Sequence, residues 1–335
     1  MKAIAYSQHG LPIDDEQSLI DVEIDQPVPG PRDLLIEVRA VSVNPVDTKV
    51  RQNSETVAPR ILGWDAAGVV RATGEAVTLF QPGDEVFYAG SITRPGSNSE
   101  FHLVDERIAG HKPSSLDFAQ SAALPLTSIT AWELLFDRLK ISEGQGKGET
   151  LLVVGAAGGV GSMLIQLARQ LTSMTVIGTA SRPETVDWVK ALGAHHVINH
   201  YAPLKEQLLD VGITEVHHVA SLTHTASYFE QLIAVLAPQG QLALIDDPES
   251  LNVLPMKGKS LSLHWEFMFT RPIFETSDMI QQHQLLERIS ELVDQGHIKT
   301  TLGAHFGTIN AANLRRAHAL IESNQAKGKV VLEGF

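Results

Sequence analysis

Hydrophobic positions recur with two different periods along the chain. Over roughly the first 110 residues the apolar runs are short and alternate every second position, the period of half-buried strands. In "LIEVRAVSV" Ile36, Val38 and Ala40 alternate with Glu37 and Arg39, and "QPGDEVF" (81–87) sets a Pro-Gly turn before another apolar run. No alternation of strand with helix is read here, so this part is expected to be a β-rich module.

From about Ala119 the pattern becomes strand, helix, strand. "TLLVVG" is a continuous apolar run, as expected of a strand buried on both faces. Val160, Leu164, Leu167, Ala168 and Leu171 then follow at helical spacing on one face. "MTVIGTA" (174–180) predicts the next strand. Ser181 and Glu184 stand at capping-box spacing before a helix carrying Val189 and Leu192 and stopped by Gly193. "HHVIN", "VHHVAS" and "GQLALI" supply three more strands. Repeated units of this kind predict an α/β fold with a doubly wound parallel sheet. The tail changes again. "SDMIQQHQLLERISELVDQG" reads as an amphipathic helix ended by Gly296, a second helix is predicted from about Ala311 to Asn324, and "GKVVLEGF" closes the chain.

Composition removes several classes of function. The 335 residues suit two domains, and 43% hydrophobic against 19% charged content allows a large core. A net charge of −13 argues against a nucleic-acid partner, whose phosphates need clustered Lys and Arg. No apolar stretch has signal-peptide or membrane-spanning length, so a cytoplasmic protein without a membrane partner is expected. The chain has no cysteine, which excludes disulfides, thiolate zinc sites, iron–sulfur clusters and cysteine nucleophiles.

Between the first α/β strand and its helix lies "GAAGGVGS". Read from Ala156, it has the form A-x-G-x-x-G, with Gly158, Gly159, Val160 and Gly161 entering the helix. A side chain at Gly158 would stand where a pyrophosphate approaches the backbone, Gly161 lets the helix pack on the strand, and the helix N-terminus offers free N–H groups. The strand before it and the helix after it point to a dinucleotide cradle rather than a tight turn. It is not a Walker A loop, because no Lys-Ser/Thr follows the glycines. An NAD site carries an acidic residue about 20 residues further on, at the end of the second strand. Here Ser181 and Arg182 occupy that place, and a hydroxyl with a guanidinium suits the 2′-phosphate of NADPH.

With no cysteine, the Cys/His set of a zinc alcohol dehydrogenase cannot be assembled. The neighbouring histidines at 195–196 and 217–218 point to opposite faces of strands. A Tyr-x-x-x-Lys match, Tyr201 to Lys205, is interrupted by Pro203 and is read as chance.

In this order, "SVNPVDTKVR", "GWDAAGVV", "QPGDEVF", "LPLTSITAWE", "VVGAAGGVGS" and "AKGKVVLEGF" resemble the medium-chain dehydrogenase/reductase superfamily, in its zinc-free quinone oxidoreductase branch. Relatives of this kind often carry zinc-type names inherited from the wider superfamily. The resemblance implies a GroES-like substrate domain formed by residues 1–122 and 267–335 and a Rossmann NADPH domain over 123–266, with the active site in a cleft. Where zinc enzymes have a ligand Cys this chain has Asn44; where they have Gly-His-Glu it has Gly63, Trp64 and Asp65; their third ligand falls near Thr127. By the same resemblance Asn44 contacts the acceptor or the nicotinamide ribose, Thr127 lies near the nicotinamide, Ser221 and Ile245 contact ribose and nicotinamide, and Lys327 neighbours phosphate. Asp47 and Lys49 are weaker candidates, read otherwise as a loop ion pair. Tyr88 is a candidate proton donor or, equally, a packed core tyrosine. Trp265 and Phe267 line a pocket, meet a partner subunit, or pack in the core.

A metal-free site constrains the acceptor. Reducing a simple ketone builds alkoxide charge on one oxygen, whereas a quinone or an α,β-unsaturated carbonyl spreads it into a phenolate or enolate. The expected function is therefore an NADPH-dependent quinone or enone reductase without a metal, acting on a small molecule as a homodimer. The alternatives are a zinc-type alcohol dehydrogenase and a non-catalytic NADPH-binding protein.

Overall fold

The computed structural model describes residues 1–335. It divides into two compact units, Met1–Ile129 with Phe269–Phe335, and Thr130–Met268. The divisions fall at 129/130 and 268/269, against expected boundaries at 122/123 and 266/267. The first crossing falls inside the helix Pro125–Trp132, where burial continues unbroken and no linker composition marks a boundary.

The first unit is β-rich. Its larger sheet runs Leu302–His305, Lys329–Glu333, Asp33–Val43, Ala66–Thr73, Glu85–Tyr88, Ala109–His111, with Phe101–Asp105 also on Asp33–Val43. Asp33–Val43 is the long central strand. Its first half pairs with Phe101–Asp105 and its last four residues pair antiparallel with the chain's final strand, Val330 opposite Val43. The C-terminal tail thus belongs to this unit. A small sheet joins Lys2–Tyr6 to Ile20–Glu23 and Arg60–Ile61.

One element here departs from the alternating pattern. Pro45–Asn53 is a helix, with Asn44 as N-cap, Pro45 in the first turn, and the Asp47 carboxylate accepting from the Asn44 N–H at 2.7 Å. Asn-Pro followed by an acid three residues after the cap is a helix-start signal. The helix buries polar residues (Asp47, Thr48, Arg51), so no apolar stripe betrays it.

That helix packs on Ala311–Glu322, and the contact encloses an unusual group. His318 is fully buried, neither ring nitrogen has a partner, and burial with the nearby Arg51 guanidinium lowers its pKa to about 3. Arg51 pairs with Glu322 at 2.7 Å and donates to the Leu11 carbonyl. An unfolded histidine titrates near 6.5. Between pH 6.5 and 3 the unfolded chain therefore binds the extra proton, and stability falls as pH falls through that window. Going from pH 7.5 to 4.5 is expected to remove roughly 3 kcal/mol through this one side chain. Urea unfolding at both pH values checks it: His318→Leu flattens the acid limb, and an unchanged limb would refute the assignment.

The second unit is the predicted α/β fold. Six strands lie parallel in the order His196–Ile198, Thr175–Thr179, Thr150–Val154, Val216–Ser221, Leu236–Leu244, Ser262–Trp265. Thr150–Val154 is buried at every position, and the helix Gly159–Leu171 buries Leu164, Leu167 and Ala168 against the sheet. Chain order reverses on the two sides of Thr150–Val154, which makes its carboxyl end the switch point where such sheets bind ligands.

Other bounds are corrected. Arg182, not Ser181, is the N-cap of the helix Pro183–Ala191; Thr185 forms the local bonds to Arg182, and Glu184 reaches the Arg182 side chain. Pro183 favours the first helical position, which fixes this start. The tail helices span Gln281–Asp294 and Ala311–Glu322, so Ser277–Ile280 lie outside the first. No helix is long and apolar enough to cross a membrane.

Candidate active site

The glycine loop takes shape in the second unit alone. Gly155 turns the chain at φ +81°, its N–H donating to the Thr179 hydroxyl at 3.2 Å. Ala156 is buried, and Gly158 is the N-cap at φ −73° and ψ 178°. Gly159, Val160 and Gly161 form the first helical turn, whose N–H groups have no carbonyl four residues back.

The glycines are required for different reasons. A Cβ on Gly161 would lie 2.5 Å from the Gly155 carbonyl oxygen and 2.6 Å from the Ala156 Cα, so the fold demands glycine there. A Cβ on Gly158 would meet only the Gly155 oxygen, at an ordinary 3.5 Å, in a backbone conformation open to any residue. Nothing in the protein itself requires glycine at 158. No other heavy atom lies within 4 Å of that position.

Neighbouring strand ends complete this edge. Ser181 and Arg182 follow Thr175–Thr179 and are half-buried; the Arg182 Nε lies 3.2 Å from the Glu184 carboxylate in an exposed pair. Such a pair has little energy to lose if the guanidinium turns to a phosphate. Ser221 ends its strand fully buried, its hydroxyl 2.7 Å from that of Thr225. Thr225 in turn gives its N–H and hydroxyl to Asp246, beside half-buried Ile245. The Asp246 carboxylate thereby caps the helix Thr225–Val235 and ties two strand ends together. This latch escaped sequence reading because its partners lie 21 residues apart with no motif.

In the first unit a buried polar centre surrounds Asn44. The register Val330 opposite Val43 brings Lys329 beside Asn44, and the Ser42 N–H bonded to the Asp65 carbonyl brings Asp65 to the same place. The Lys329 ammonium donates to Asn44 Oδ1, to Asp65 Oδ2 at 2.9 Å and to the Val43 carbonyl at 3.3 Å. Asn44 Nδ2 donates to Asp65 Oδ2 at 3.1 Å, and Asp65 Oδ1 accepts from the Leu126 N–H at 3.1 Å. Lys329, Asn44 and Asp65 are 3%, 2% and 0% exposed, so solvent screens none of these contacts. Burial pushes the Asp65 carboxyl above its usual range, against the pull of Lys329 and the Leu126 N–H. Burial pushes Asp47 up to about 7, with one carboxyl oxygen unpartnered.

These contacts redefine several candidates. Both ends of the Asn44 amide are committed inside the protein rather than offered outward. The Thr127 hydroxyl donates to the Leu124 carbonyl at 3.1 Å. Tyr88 is fully buried and stacks on His102, its hydroxyl 3.0 Å from Nδ1 while Nε2 is 2.9 Å from the Pro95 carbonyl. Burial holds His102 near a pKa of 4 and raises that of Tyr88. Neutral His102 therefore donates through Nε2 and accepts the tyrosine proton at Nδ1. This is the packed tyrosine of the two readings. Asp47 lies buried in the first turn of the helix Pro45–Asn53 rather than on a loop, and its carboxylate accepts from the Asn44 N–H. Lys327 is half-buried just before the last strand, and Lys329, two residues on, is the lysine that enters a site. Trp265 and Phe267 are 55% and 48% exposed, which rules out core packing within the chain.

The residues present do not fit a zinc ion. At the three positions where the wider superfamily ligates, this chain has the engaged Asn44 amide, the buried Trp64 indole donating to the Ser91 carbonyl at 3.1 Å, and the Thr127 hydroxyl. Indole N–H cannot ligate, and catalytic zinc takes Cys, His and carboxylate donors.

Comparison with known proteins agrees with this architecture. Residues 30–114 match the alcohol dehydrogenase GroES-like domain and residues 192–332 the zinc-binding dehydrogenase family. A zinc-type alcohol dehydrogenase-like protein of Staphylococcus aureus (strain MSSA476) is 42% identical over 92% of both chains. A solved structure from Rhizobium etli CFN 42, named for a zinc-dependent alcohol dehydrogenase, is 54% identical, covers 100% of this chain and 98% of its own, and superposes with a TM-score of 0.96. Escherichia coli quinone oxidoreductase complexed with NADPH is 26% identical over 99% of this chain and 100% of its own, with a TM-score of 0.84. The chain belongs to the medium-chain dehydrogenase/reductase superfamily and is an oxidoreductase built from a GroES-like and a Rossmann domain.

Proposed function

We propose that the chain is an NADPH-dependent reductase passing hydride to a quinone or α,β-unsaturated carbonyl without a metal. The observation that carries it is Gly158, a glycine the fold does not need, at the N-terminus of a helix on the sheet's switch point. There the first-turn N–H groups bind a pyrophosphate and Gly161 keeps the helix close to the strand. Ser181 and Arg182 favour a 2′-phosphate, and the exposed Glu184 partner releases the guanidinium at small cost. Ser221 and Ile245 line the strand ends toward the nicotinamide. When bound, the nicotinamide supplies a hydride. Donor chemistry supports a metal-free acceptor: Asn44, Trp64 and Thr127 form no ligand set for a Lewis-acidic metal, which favours an acceptor whose own π-system spreads the charge.

The homodimer is part of this proposal. Ser262–Trp265 is an edge strand with no proline or bulge to blunt it, and exposed Trp265 and Phe267 adjoin it. Pairing with the same strand of a second copy covers both.

The test is NADPH oxidation against a panel of quinones, enones and simple ketones, on protein whose mass in sedimentation is twice that of one chain. Turnover with quinones or enones and little with ketones is expected. Tight NADPH binding with no turnover on any acceptor would overturn the enzymatic reading, and a monomer would overturn the pairing.

A further inference from the structure

We propose that the Lys329 ammonium is the resident cation of the buried centre around Asn44 and Asp65, holding together stretches far apart in sequence, and that with it in place the centre is closed to zinc. The inference deepens the metal-free reading above and rests on it.

The geometry is that of a filled cation site. An ammonium has three protons, and Lys329 meets three oxygens: Asn44 Oδ1, Asp65 Oδ2 and the Val43 carbonyl. The amide orientation follows from chemistry. Nδ2 of Asn44 is held by Asp65, so only Oδ1 can face a cation. Asp65 is the bridging carboxylate, one oxygen on the ammonium and the other on the Leu126 N–H. Four distant stretches meet here: the end of the central strand, the Trp64–Asp65 segment, the start of the helix Pro125–Trp132, and the first residue of the last strand. Gathering distant oxygens is the structural work of a bound cation.

The same geometry excludes a second cation. The Asn44 and Asp65 oxygens nearest the centre already accept from Lys329, and a divalent ion among them would sit against an ammonium with no solvent between. Asp47 is the remaining carboxyl. It faces the Lys329 and Asp65 charges, and its Oδ2 is bonded by the Asn44 N–H. Around Lys329 there is thus one cation for two carboxyls, in a place that an uncharged side chain could fill without orienting any of these groups.

The experiment uses the full chain and its Lys329→Ala variant. Alanine removes the part of the side chain that n-propylammonium replaces. The variant is expected to melt well below the wild type, and roughly 50 mM n-propylammonium to raise its Tm by roughly 5 °C. Neutral n-propanol gives no such shift. Lys329→Met, which fills the volume without the charge, is not rescued. Wild-type protein exposed to zinc and dialysed is expected to retain less than about one tenth of an atom per chain. Should Lys329→Ala emerge unfolded, its refolding yield from urea with and without the amine gives the same readout. Equal rescue by propanol, no rescue by the amine, or stoichiometric zinc in the wild type overturns the proposal. Neither melting nor metal content needs a hydride acceptor, so a failed acceptor panel leaves this test standing.

Discussion

Replacing Asp65 with leucine is expected to destabilise the protein by about 3–5 kcal/mol. Asp65 holds the Lys329 ammonium at 2.9 Å, and neither side chain has access to water. Removing only the carboxylate leaves a buried cation with the Asn44 and Val43 oxygens, and the Leu126 N–H loses its acceptor. Each orphaned group carries its own desolvation cost. The double variant Asp65→Leu/Lys329→Met removes both charges together and is expected to recover the share of the loss due to the lone ammonium, while the Leu126 N–H and the Asn44 amide stay without these partners. Urea unfolding of the two variants measures it as a coupling energy. A single variant costing less than about 1 kcal/mol would show the pair to be solvated.

The second large effect separates two glycines three residues apart. Gly161→Val drives a side chain into the Gly155 carbonyl and the Ala156 backbone, so both stability and NADPH binding are expected to fall. Gly158→Ala adds a single methyl in an ordinary backbone conformation with nothing closer than 3.5 Å. This variant is expected to fold and melt like the wild type, yet to bind NADPH at least tenfold more weakly, roughly 1.4 kcal/mol or more. Thermal melting and fluorescence titration of both variants check this. Wild-type affinity in Gly158→Ala would mean that the pyrophosphate does not approach this backbone.

What was legible in the sequence was what short stretches of chain encode. The strand Thr150–Val154, the loop and the helix Gly159–Leu171 form one local unit, readable because a buried strand, a glycine pattern and a helical stripe follow one another directly. Pro45–Asn53 was missed because its buried face is polar, although Asn44, Pro45 and Asp47 spell its start. The buried centre was legible only in part. Asn44 was singled out, but Lys329 and Asp65 lie 264 residues apart and meet only through sheet register. In "KGKVVLE" nothing local tells a lysine inside a strand from one before it, so Lys329 carries no signal of its place in the centre. Tyr88 shows the same limit: its partner His102 sits on a different strand, and only the fold reveals that its proton is already held.

Hydride transfer from NADPH to a conjugated acceptor is expected to need no metal, because the buried oxygens of Asn44 and Asp65 are already held by Lys329. Its most direct test is quinone-dependent NADPH oxidation by protein assayed for zinc, before and after prolonged treatment with a strong chelator. Turnover that the chelator leaves unchanged, in protein with far less than one zinc per chain, is the expected result. Activity that tracks a stoichiometric zinc, lost with the chelator and restored with the metal, would contradict it.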